Sequence, residues 1–297
     1  MKVHHLDCGT LCPGAERWIN GTGSLKRRGR LVCHCLLVES PSGLVLVETG
    51  IGTADIERPH ERLGSFFLRS SRPRLDATQT ASAHVERLGF SARDVRHVVL
   101  THAHLDHAGG IADFPHAKIH VYAPEQHAVT APATYFERQS YRRLQFAHGP
   151  RWTPHEPAGE RFFGFEAALP IAELGSEVAL VPLPGHTRGH AAVAVRGPHG
   201  YMLHAGDAYF HRDQLLGRAA PALLAVFQRM VDLDGRLRAR NLVRLAELAR
   251  EHGSEVQIFC AHDPVELERM QRNARAESPA SAATATSTPT RAVSEQL

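Results

Sequence analysis

A short run of potential metal ligands constrains this chain more than any other feature. Residues 101–110 read THAHLDHAGG and place three imidazoles and one carboxylate within six residues. A protein core does not tolerate such polar groups unpaired, and a solvated surface has no need of them at this density. Neutral imidazoles and carboxylates are ligands of divalent metals, so the run predicts a metal site.

The preceding residues predict how these ligands are positioned. Residues 95–100 read VRHVVL, which is typical of a buried strand, so the ligands follow the C-terminal end of a strand. His102 and His104 are two residues apart and point to one side of an extended backbone. Asp106 and His107 come after the turn begins and can address a second centre, so one loop can serve two metals.

Further candidate ligands follow other apolar segments. His186 comes just after the run at 178–181, Asp207 after a short strand at 201–203, and His262 after residues 256–258. Active sites concentrate in loops at the ends of a rigid sheet. We therefore expect these side chains to join the ligands of the 101–110 run.

The candidate ligands, in their order along the chain, resemble those of the metallo-β-lactamase superfamily of binuclear hydrolases. The resemblance extends over residues 1–275. The resemblance implies an α/β fold, a four-layer αβ/βα sandwich with the metals at one sheet edge. It implies a first metal held by His102, His104 and His186, a second held by Asp106, His107 and His262, and Asp207 as a bridge. Zinc suits these ligands, with iron, manganese or cobalt as alternatives.

Two such metals would lower the pKa of a bridging water and polarise a substrate carbonyl, which favours hydrolysis of an ester-like bond. Redox diiron relatives usually carry Glu where this chain has His104. The layout is most similar to N-acyl-homoserine lactonases, so the expected substrate is a small lactone. The main alternative is a hydroxyacylglutathione-type thioesterase, with Arg229, Arg236, Arg238 and Arg240 as candidate glutathione contacts. A phosphodiesterase or nuclease and a non-catalytic metal-binding protein are further alternatives.

Two catalytic roles are expected beyond metal binding. Asp106 could pass a proton to the leaving group, or serve as a plain ligand. Related lactonases carry a Tyr three residues after the bridging Asp, whereas here Tyr209 is two residues after Asp207 and Phe210 is third. A local shift would let Tyr209 donate to the oxyanion. A second departure is Glu48, which stands where the family usually has an Asp that supports a metal ligand.

The charge, the hydropathy and the cysteine content bear on whether the protein binds nucleic acid or membranes and on its cellular location. The net charge of +3 is too small to indicate nucleic-acid binding. No apolar run approaches the ~18–20 residues of a membrane helix. The N-terminus lacks the apolar core of a signal peptide and the number of cysteines is odd, which favours a cytoplasmic location. We expect Cys8, Cys12, Cys33 and Cys35 to act as small buried hydrophobes, with a structural metal or redox role as the alternative.

The organisation is that of one hydrolase domain, residues 1–275, followed by an Ala/Ser/Thr/Pro-rich tail, residues 276–297, expected to be disordered. A helix is expected over 76–88, with Asp76 as its cap. Residues 124–170 are long and poorly periodic, and Tyr141 and Trp152 within them either wall a substrate pocket or pack as ordinary core. A homodimer is possible through this segment or an edge strand.

Overall fold

Two β-sheets form the framework of the fold. The computed structural model describes residues 1–156 and 159–276, and within these ranges each sheet has six strands. The first sheet contains β1 Lys2–Leu11, β2 Leu31–Ser40, β3 Gly43–Val47, β4 Val95–Val99, β5 Lys118–Tyr122 and β6 Arg151–His155. The second contains β7 Glu160–Phe162, β8 Phe165–Pro170, β9 Val178–Pro182, β10 Ala191–Gly197, β11 Gly200–His204 and β12 Val256–Phe259.

Strand order differs little from chain order. The first sheet runs β1-β2-β3-β4-β5-β6, antiparallel from β1 to β3 and parallel from β3 to β6. The second runs β12-β11-β10-β9-β8-β7, and only its β11–β12 pair is parallel. Parallel neighbours require a crossover connection, and those connections supply the helices on the outer faces.

The helices are short apart from three near the C-terminus. They are α1 Glu16–Asn20, α2 Thr53–Glu57, α3 Pro59–Arg62, α4 Gly64–Ser70, α5 Ala81–Arg87, α6 Leu105–Ala108, α7 Ala123–Thr130, α8 Tyr135–Ser140, α9 Arg143–Phe146, α10 Arg212–Leu215, α11 Ala222–Val231, α12 Gly235–Glu251 and α13 Pro264–Ala276. Short 3-10 turns cover Ala77–Gln79, Ala92–Asp94, Gly109–Asp113 and Ala172–Glu177.

The helix expected over 76–88 begins later than predicted. Asp76 caps only a 3-10 turn, through a hydrogen bond from the Thr78 backbone N–H. The α-helix starts at Ala81, because the Thr80 hydroxyl accepts from the Ala83 N–H and satisfies a donor of the first turn. A second capping residue thus divides the predicted helix.

Alternation of side chains along the strands produces the layers. One face of the first sheet, including Val45 and Val99, packs against Leu180 and Val193 of the second. The other face of the first sheet is covered by α5 and α7, and the outer face of the second sheet by α12. Helices, sheet, sheet and helices form the four layers that the ligand motifs implied, so the fold prediction is confirmed.

The remaining predictions about organisation concern membrane-spanning helices and the C-terminal tail. In the described part of the chain, no helix combines the length and the apolar character needed to cross a membrane. The last helix ends at Ala276, and the rest of the tail predicted to be disordered lies outside the described residues.

Candidate metal centre

Four chain segments meet at one edge of the sandwich. His102 and His104 lie between β4 and α6, and Asp106 and His107 lie within the single turn of α6. The other candidate ligands lie in the loops after β9, β11 and β12. Three groups of ligand atoms come within 4.8 Å of one another: His102, His104 and His186; His102, His107 and Asp207; Asp106, His107 and His262. The structure therefore brings together all seven side chains that the sequence predicted as ligands.

Asp207 lies between two sets of histidines. Its Oδ2 is 3.3 Å from His186 Nε2 and 3.9 Å from His102 Nε2. Its Oδ1 is 3.2 Å from His262 Nε2 and 3.4 Å from His107 Nε2. Because each carboxylate oxygen faces a different pair of imidazoles, Asp207 has the geometry of a bridge between two cations.

Unpartnered buried atoms show that this site fits metal ions. His102 Nε2, His107 Nε2 and Asp207 Oδ1 are buried and have no hydrogen-bond partner in the described structure. An unsatisfied buried polar atom is costly, and these three point at one another. Divalent cations would satisfy all three, so the donor set of imidazoles and carboxylates fits a two-metal centre.

Most ligand histidines have their remote nitrogen fixed by a hydrogen bond. His107 Nδ1 donates to Glu48, His186 Nδ1 to Asp232 Oδ1 at 3.1 Å, and His262 Nδ1 to the Val32 carbonyl at 2.8 Å. A proton held on Nδ1 leaves Nε2 as the unprotonated atom that faces the centre. These contacts therefore select the tautomer that binds metal.

Glu48 supports the centre from the end of β3. Its Oε2 is 2.5 Å from His107 Nδ1, and its Oε1 accepts from the Thr101 N–H, also at 2.5 Å. Glu48 adopts a left-handed backbone with φ of 65°, a conformation that is uncommon for residues other than Gly, Asn or Asp and is often retained at functional sites. Although it replaces the usual Asp, Glu48 thus contacts the ligand loop at two points.

Glu125 on α7 is a positioning residue that the sequence reasoning missed. Its Oε1 accepts from the Ala103 N–H and the Tyr141 hydroxyl, and its Oε2 accepts from the Thr187 hydroxyl and the Gly189 N–H. It therefore joins the loop of His102 and His104 to the loop of His186. No local pattern marks it, because its partners come from three distant segments.

Two more supports lie behind Asp207 and His186. His190 Nε2 accepts a hydrogen bond from the Asp207 N–H at 2.9 Å. Arg238 Nε donates to Asp232 Oδ2 at 2.7 Å, which holds the carboxylate that orients His186. Arg238 is buried, so it acts as an internal tie rather than as a substrate contact.

The electrostatics divide the candidate ligands into two groups. Burial, reinforced by neighbouring imidazoles, lowers the pKa of His102 and of His104 well below the usual value, so both are neutral. Burial also opposes ionisation of Asp207, but His262, His107 and His186 outweigh it and hold the Asp207 pKa well below its usual value. Burial opposes protonation of His107 and His262 as well, but Asp207, together with Glu48 for His107 and Asp106 for His262, outweighs it and raises the pKa of both rings, so a cation at the centre would displace a proton from each.

Tyr209 does not occupy the position that its predicted catalytic role requires. It is fully buried, and its hydroxyl donates to the carboxylate of Glu266 at 3.1 Å, away from the cavity at the metal centre. The side chain that faces the centre is Phe210, whose ring centroid lies 5.3 Å from that of His262. The local shift required for an oxyanion role of Tyr209 does not occur, because its hydroxyl is satisfied inside the core.

A cavity of about 390 Å³ opens over the ligands. His104, Asp106, His186, Asp207 and His262 lie among its lining residues. Most of the remaining wall is apolar and comes from α4, α8 and α11, including Phe66, Phe67, Phe136, Phe227 and Met230. The expected contribution of residues 124–170 is thus limited to α8, in Phe136, Gln139 and Ser140.

Tyr141 and Trp152 belong to the core rather than to the cavity wall. Tyr141 is buried against the first sheet with its hydroxyl on Glu125, and Trp152 packs beside Phe146. Of the two roles that the sequence left open for these aromatics, the structure shows packing. The pocket walls on α4 and α11 were not predicted, because nothing local marks helices that converge from distant segments.

The cysteines are free thiols. Cys8, Cys33 and Cys35 are buried and Cys12 is partly buried, and no cysteine belongs to a metal-ligand cluster in the described ranges. Burial raises the pKa of Cys33 and of Cys35 well above the usual value, so both stay protonated. The expected role as small buried hydrophobes fits this placement.

Comparison with known proteins agrees with the geometry. Residues 28–245 match the Metallo-beta-lactamase superfamily. This chain belongs to the metallo-β-lactamase superfamily. A protein named probable metallo-hydrolase from Mycobacterium tuberculosis is 44% identical over 265 residues, which cover 89% of this chain and 81% of that protein. The family and the ligand set together make this chain a metal-dependent hydrolase.

More distant similarities include proteins named as N-acyl homoserine lactonases. The N-acyl homoserine lactonase AttM of Agrobacterium fabrum is 26% identical over 230 residues, covering 77% of this chain and 80% of the relative. A solved N-acyl homoserine lactone hydrolase, with N-hexanoyl-L-homoserine at its catalytic metal centre, superposes with a TM-score of 0.65 at 20% identity. The alignment covers 90% of this chain and 95% of that one, which shows a shared fold.

Proposed function

We propose that this metallo-hydrolase is a lactonase that opens N-acyl homoserine lactones. The observation that carries the proposal is the cavity, which has metal ligands at its base and apolar walls on α4 and α11. A lactone ring presented to the ligands would leave an acyl chain to lie against Phe67, Phe227 and Met230. The named activity of AttM and the product found in the solved lactone hydrolase support this substrate class.

We propose two zinc ions as the cofactors. His102, His104 and His186 would hold one, and Asp106, His107 and His262 the other, with Asp207 between them. When bound, the metals would supply a hydroxide from a shared water and polarise the ester carbonyl. Imidazole and carboxylate donors without thiolate suit zinc, and the same donors also accept cobalt, manganese or iron.

The remaining chemistry falls to the chain itself. Asp106 lines the cavity, and its Oδ2 is 3.8 Å from His262 Nε2. A carboxyl group at this position can carry a proton to the alkoxide that leaves when the lactone ring opens, so that the product dissociates as an alcohol. The apolar walls exclude water around the acyl chain and position the ring through burial of that chain.

The thioesterase alternative receives no support from the arginines that suggested it. Arg238 is tied to Asp232 and to the Ala208 carbonyl. None of Arg229, Arg236, Arg238 and Arg240 is among the described residues that line the cavity. A glutathione carboxylate would therefore lack the cationic contacts expected of that activity. The cytoplasmic location and the homodimer stay predictions.

The test is a hydrolysis series with acyl chains of increasing length, together with S-lactoylglutathione and a phosphodiester. Burial of each methylene is worth ~0.8 kcal/mol, or about fourfold in kcat/KM, until the cavity is full. Phe227→Ala should flatten this dependence and leave a butanoyl substrate nearly unaffected. Val243→Ala, on the exposed face of α12, is the matched control. Turnover of the thioester alone, or no dependence on chain length, would contradict the proposal.

A further inference from the structure

A second group of imidazoles lies between the two sheets, outside the cavity at the metal centre. His97 on β4, His120 on β5 and His155 on β6 lie on the same face of three adjacent parallel strands. His97 Nδ1 is 2.8 Å from His120 Nε2, and His120 Nδ1 is 3.0 Å from His155 Nε2. The Ala172–Glu177 turn before β9 places Glu173 Oε2 3.9 Å from His97 Nδ1.

The separations between these atoms suit a tetrahedral cation. Zinc bonds to imidazole nitrogen and carboxylate oxygen are ~2.0–2.1 Å long, which places two tetrahedral ligand atoms roughly 3.3 Å apart. The distances of 2.8 Å and 3.9 Å from His97 Nδ1 bracket that value. Three ligand atoms, from His97, His120 and Glu173, all lie within 4.8 Å of one another.

The chemical state of the imidazoles also suits a metal. Burial, with help from His97 and His155, lowers the pKa of His120 to about 3, and burial lowers that of His97 as well. Both rings are therefore neutral. With a metal on His120 Nε2, the proton rests on Nδ1 and is donated to His155 Nε2, which is the usual outer partner of a ligand histidine.

We propose that His97, His120 and Glu173 form an additional zinc site, separate from the catalytic centre, that ties the first sheet to the β8–β9 connection of the second. Water completes the coordination. The side chain of Glu173 is 42% exposed, so the ion enters from solvent at this side. Because the three ligands come together only in the folded chain, zinc bound here stabilises the fold.

Lys118 supplies a diagnostic feature of the site. Its Nζ is 2.6 Å from Glu173 Oε2, so the ammonium competes with a cation for this carboxylate. If Glu173 serves only in a surface ion pair, loss of Lys118 removes a weak stabilising contact and nothing else. If Glu173 is a zinc ligand, loss of Lys118 strengthens zinc binding, which is the opposite kind of effect.

The experiment is zinc stoichiometry and affinity by equilibrium dialysis and elemental analysis of the full chain. Wild type should bind one more zinc than His97→Gln, whatever the number at the catalytic centre, and both should retain hydrolytic activity. Glu173→Gln changes an exposed side chain and should weaken the extra site by more than the ~10–100-fold that loss of an outer partner costs. Lys118→Met should tighten it. Glu177→Gln, on the same turn, is the matched control and should leave it unchanged.

Three outcomes would overturn the proposal. Equal zinc stoichiometry in wild type and His97→Gln would show that the three rings form only a neutral hydrogen-bonded chain. An extra zinc that is insensitive to Glu173→Gln would lie elsewhere on the surface. Weaker rather than tighter zinc binding in Lys118→Met would show that Glu173 serves in the ion pair with Lys118 and is not a zinc ligand. None of these results depends on which substrate the catalytic centre hydrolyses.

Discussion

Glu48 Oε2 accepts a hydrogen bond from His107 Nδ1 at 2.5 Å, and this contact determines which nitrogen of His107 faces the metal centre. The other oxygen of Glu48 holds the Thr101 N–H, one residue before His102. The Glu48 carboxylate thus fixes the orientation of the His107 ring and also holds the backbone that leads to His102. Glu48 is buried, so water cannot replace either contact.

Glu48→Gln should therefore lower metal affinity. The amide keeps one acceptor oxygen and loses the charge, so it cannot both accept from Thr101 and orient His107 as a carboxylate does. Loss of such an outer partner costs about 10–100-fold in metal affinity or activity. Competition with a chelator, followed by kinetics at saturating metal, measures the two effects. Unchanged affinity and rate would show that His107 is held by its packing alone.

Glu125→Gln should destabilise the protein and reduce its activity. Four donors converge on this carboxylate, so an amide would turn its N–H₂ toward at least one of them and leave that donor unsatisfied. The expected loss is ~1–3 kcal/mol in the free energy of unfolding. Tyr141→Phe removes one of the four donors and leaves the acceptors intact, so it is the milder control. Denaturant unfolding with kcat/KM measures both variants, and equal losses in the two would contradict this account.

Tyr209→Phe tests the corrected role of that residue. Its hydroxyl contacts Glu266 in the core, so the variant should lose ~1 kcal/mol of stability and keep a kcat/KM close to that of wild type. Removal of a true oxyanion donor costs about 100- to 1000-fold in rate. A loss of that size, with metal content unchanged, would restore Tyr209 to the catalytic set.

The buried carboxyl of Glu266 should make stability depend on pH. Burial raises the pKa of Glu266 to about 7 in the folded protein, from the ordinary value of 4.5 for a glutamate carboxyl. Below pH 4.5 both states hold the proton. Between pH 4.5 and about 7 the unfolded state loses it first, so stability falls as the pH rises, by an amount of the order of 3 kcal/mol, and then levels off. Glu266→Gln should abolish this component in denaturant unfolding at several pH values, and identical pH profiles for the two proteins would contradict it.

Asp106→Asn separates the proton-transfer role from the ligand role. If Asp106 delivers the proton to the leaving alkoxide, kcat should fall by about 100- to 10,000-fold on a lactone even in protein that retains both metals. A thiolactone, whose thiolate leaves without a proton, should be affected much less. Kinetics on both substrates, with metal content measured on the same samples, provide the comparison. Equal losses on the two would assign Asp106 to metal binding alone.

The cluster of candidate ligands was predictable from the sequence because its signal is local. His102, His104, Asp106 and His107 share one loop, and His186, Asp207 and His262 each follow a short apolar strand. The strand before each ligand is recognisable from its side chains, and parallel strands bring their ends to one edge. The four layers were implied by the family resemblance of the ligand motifs, and the apolar residues on both faces of the strands, which require cover on both sides, agree with them.

The supports and the cavity were decided only by the tertiary structure. Glu125 meets Ala103, Tyr141 and Thr187 from three separate segments, and no spacing in the sequence relates them. Tyr209 and Phe210 are adjacent in sequence, but Tyr209 contacts Glu266 on α13 whereas Phe210 lines the cavity at the centre. His97, His120 and Glu173 likewise meet only where the two sheets pack. The chain therefore specifies its ligands locally, whereas their orientation and the substrate space depend on contacts that form between distant segments on folding.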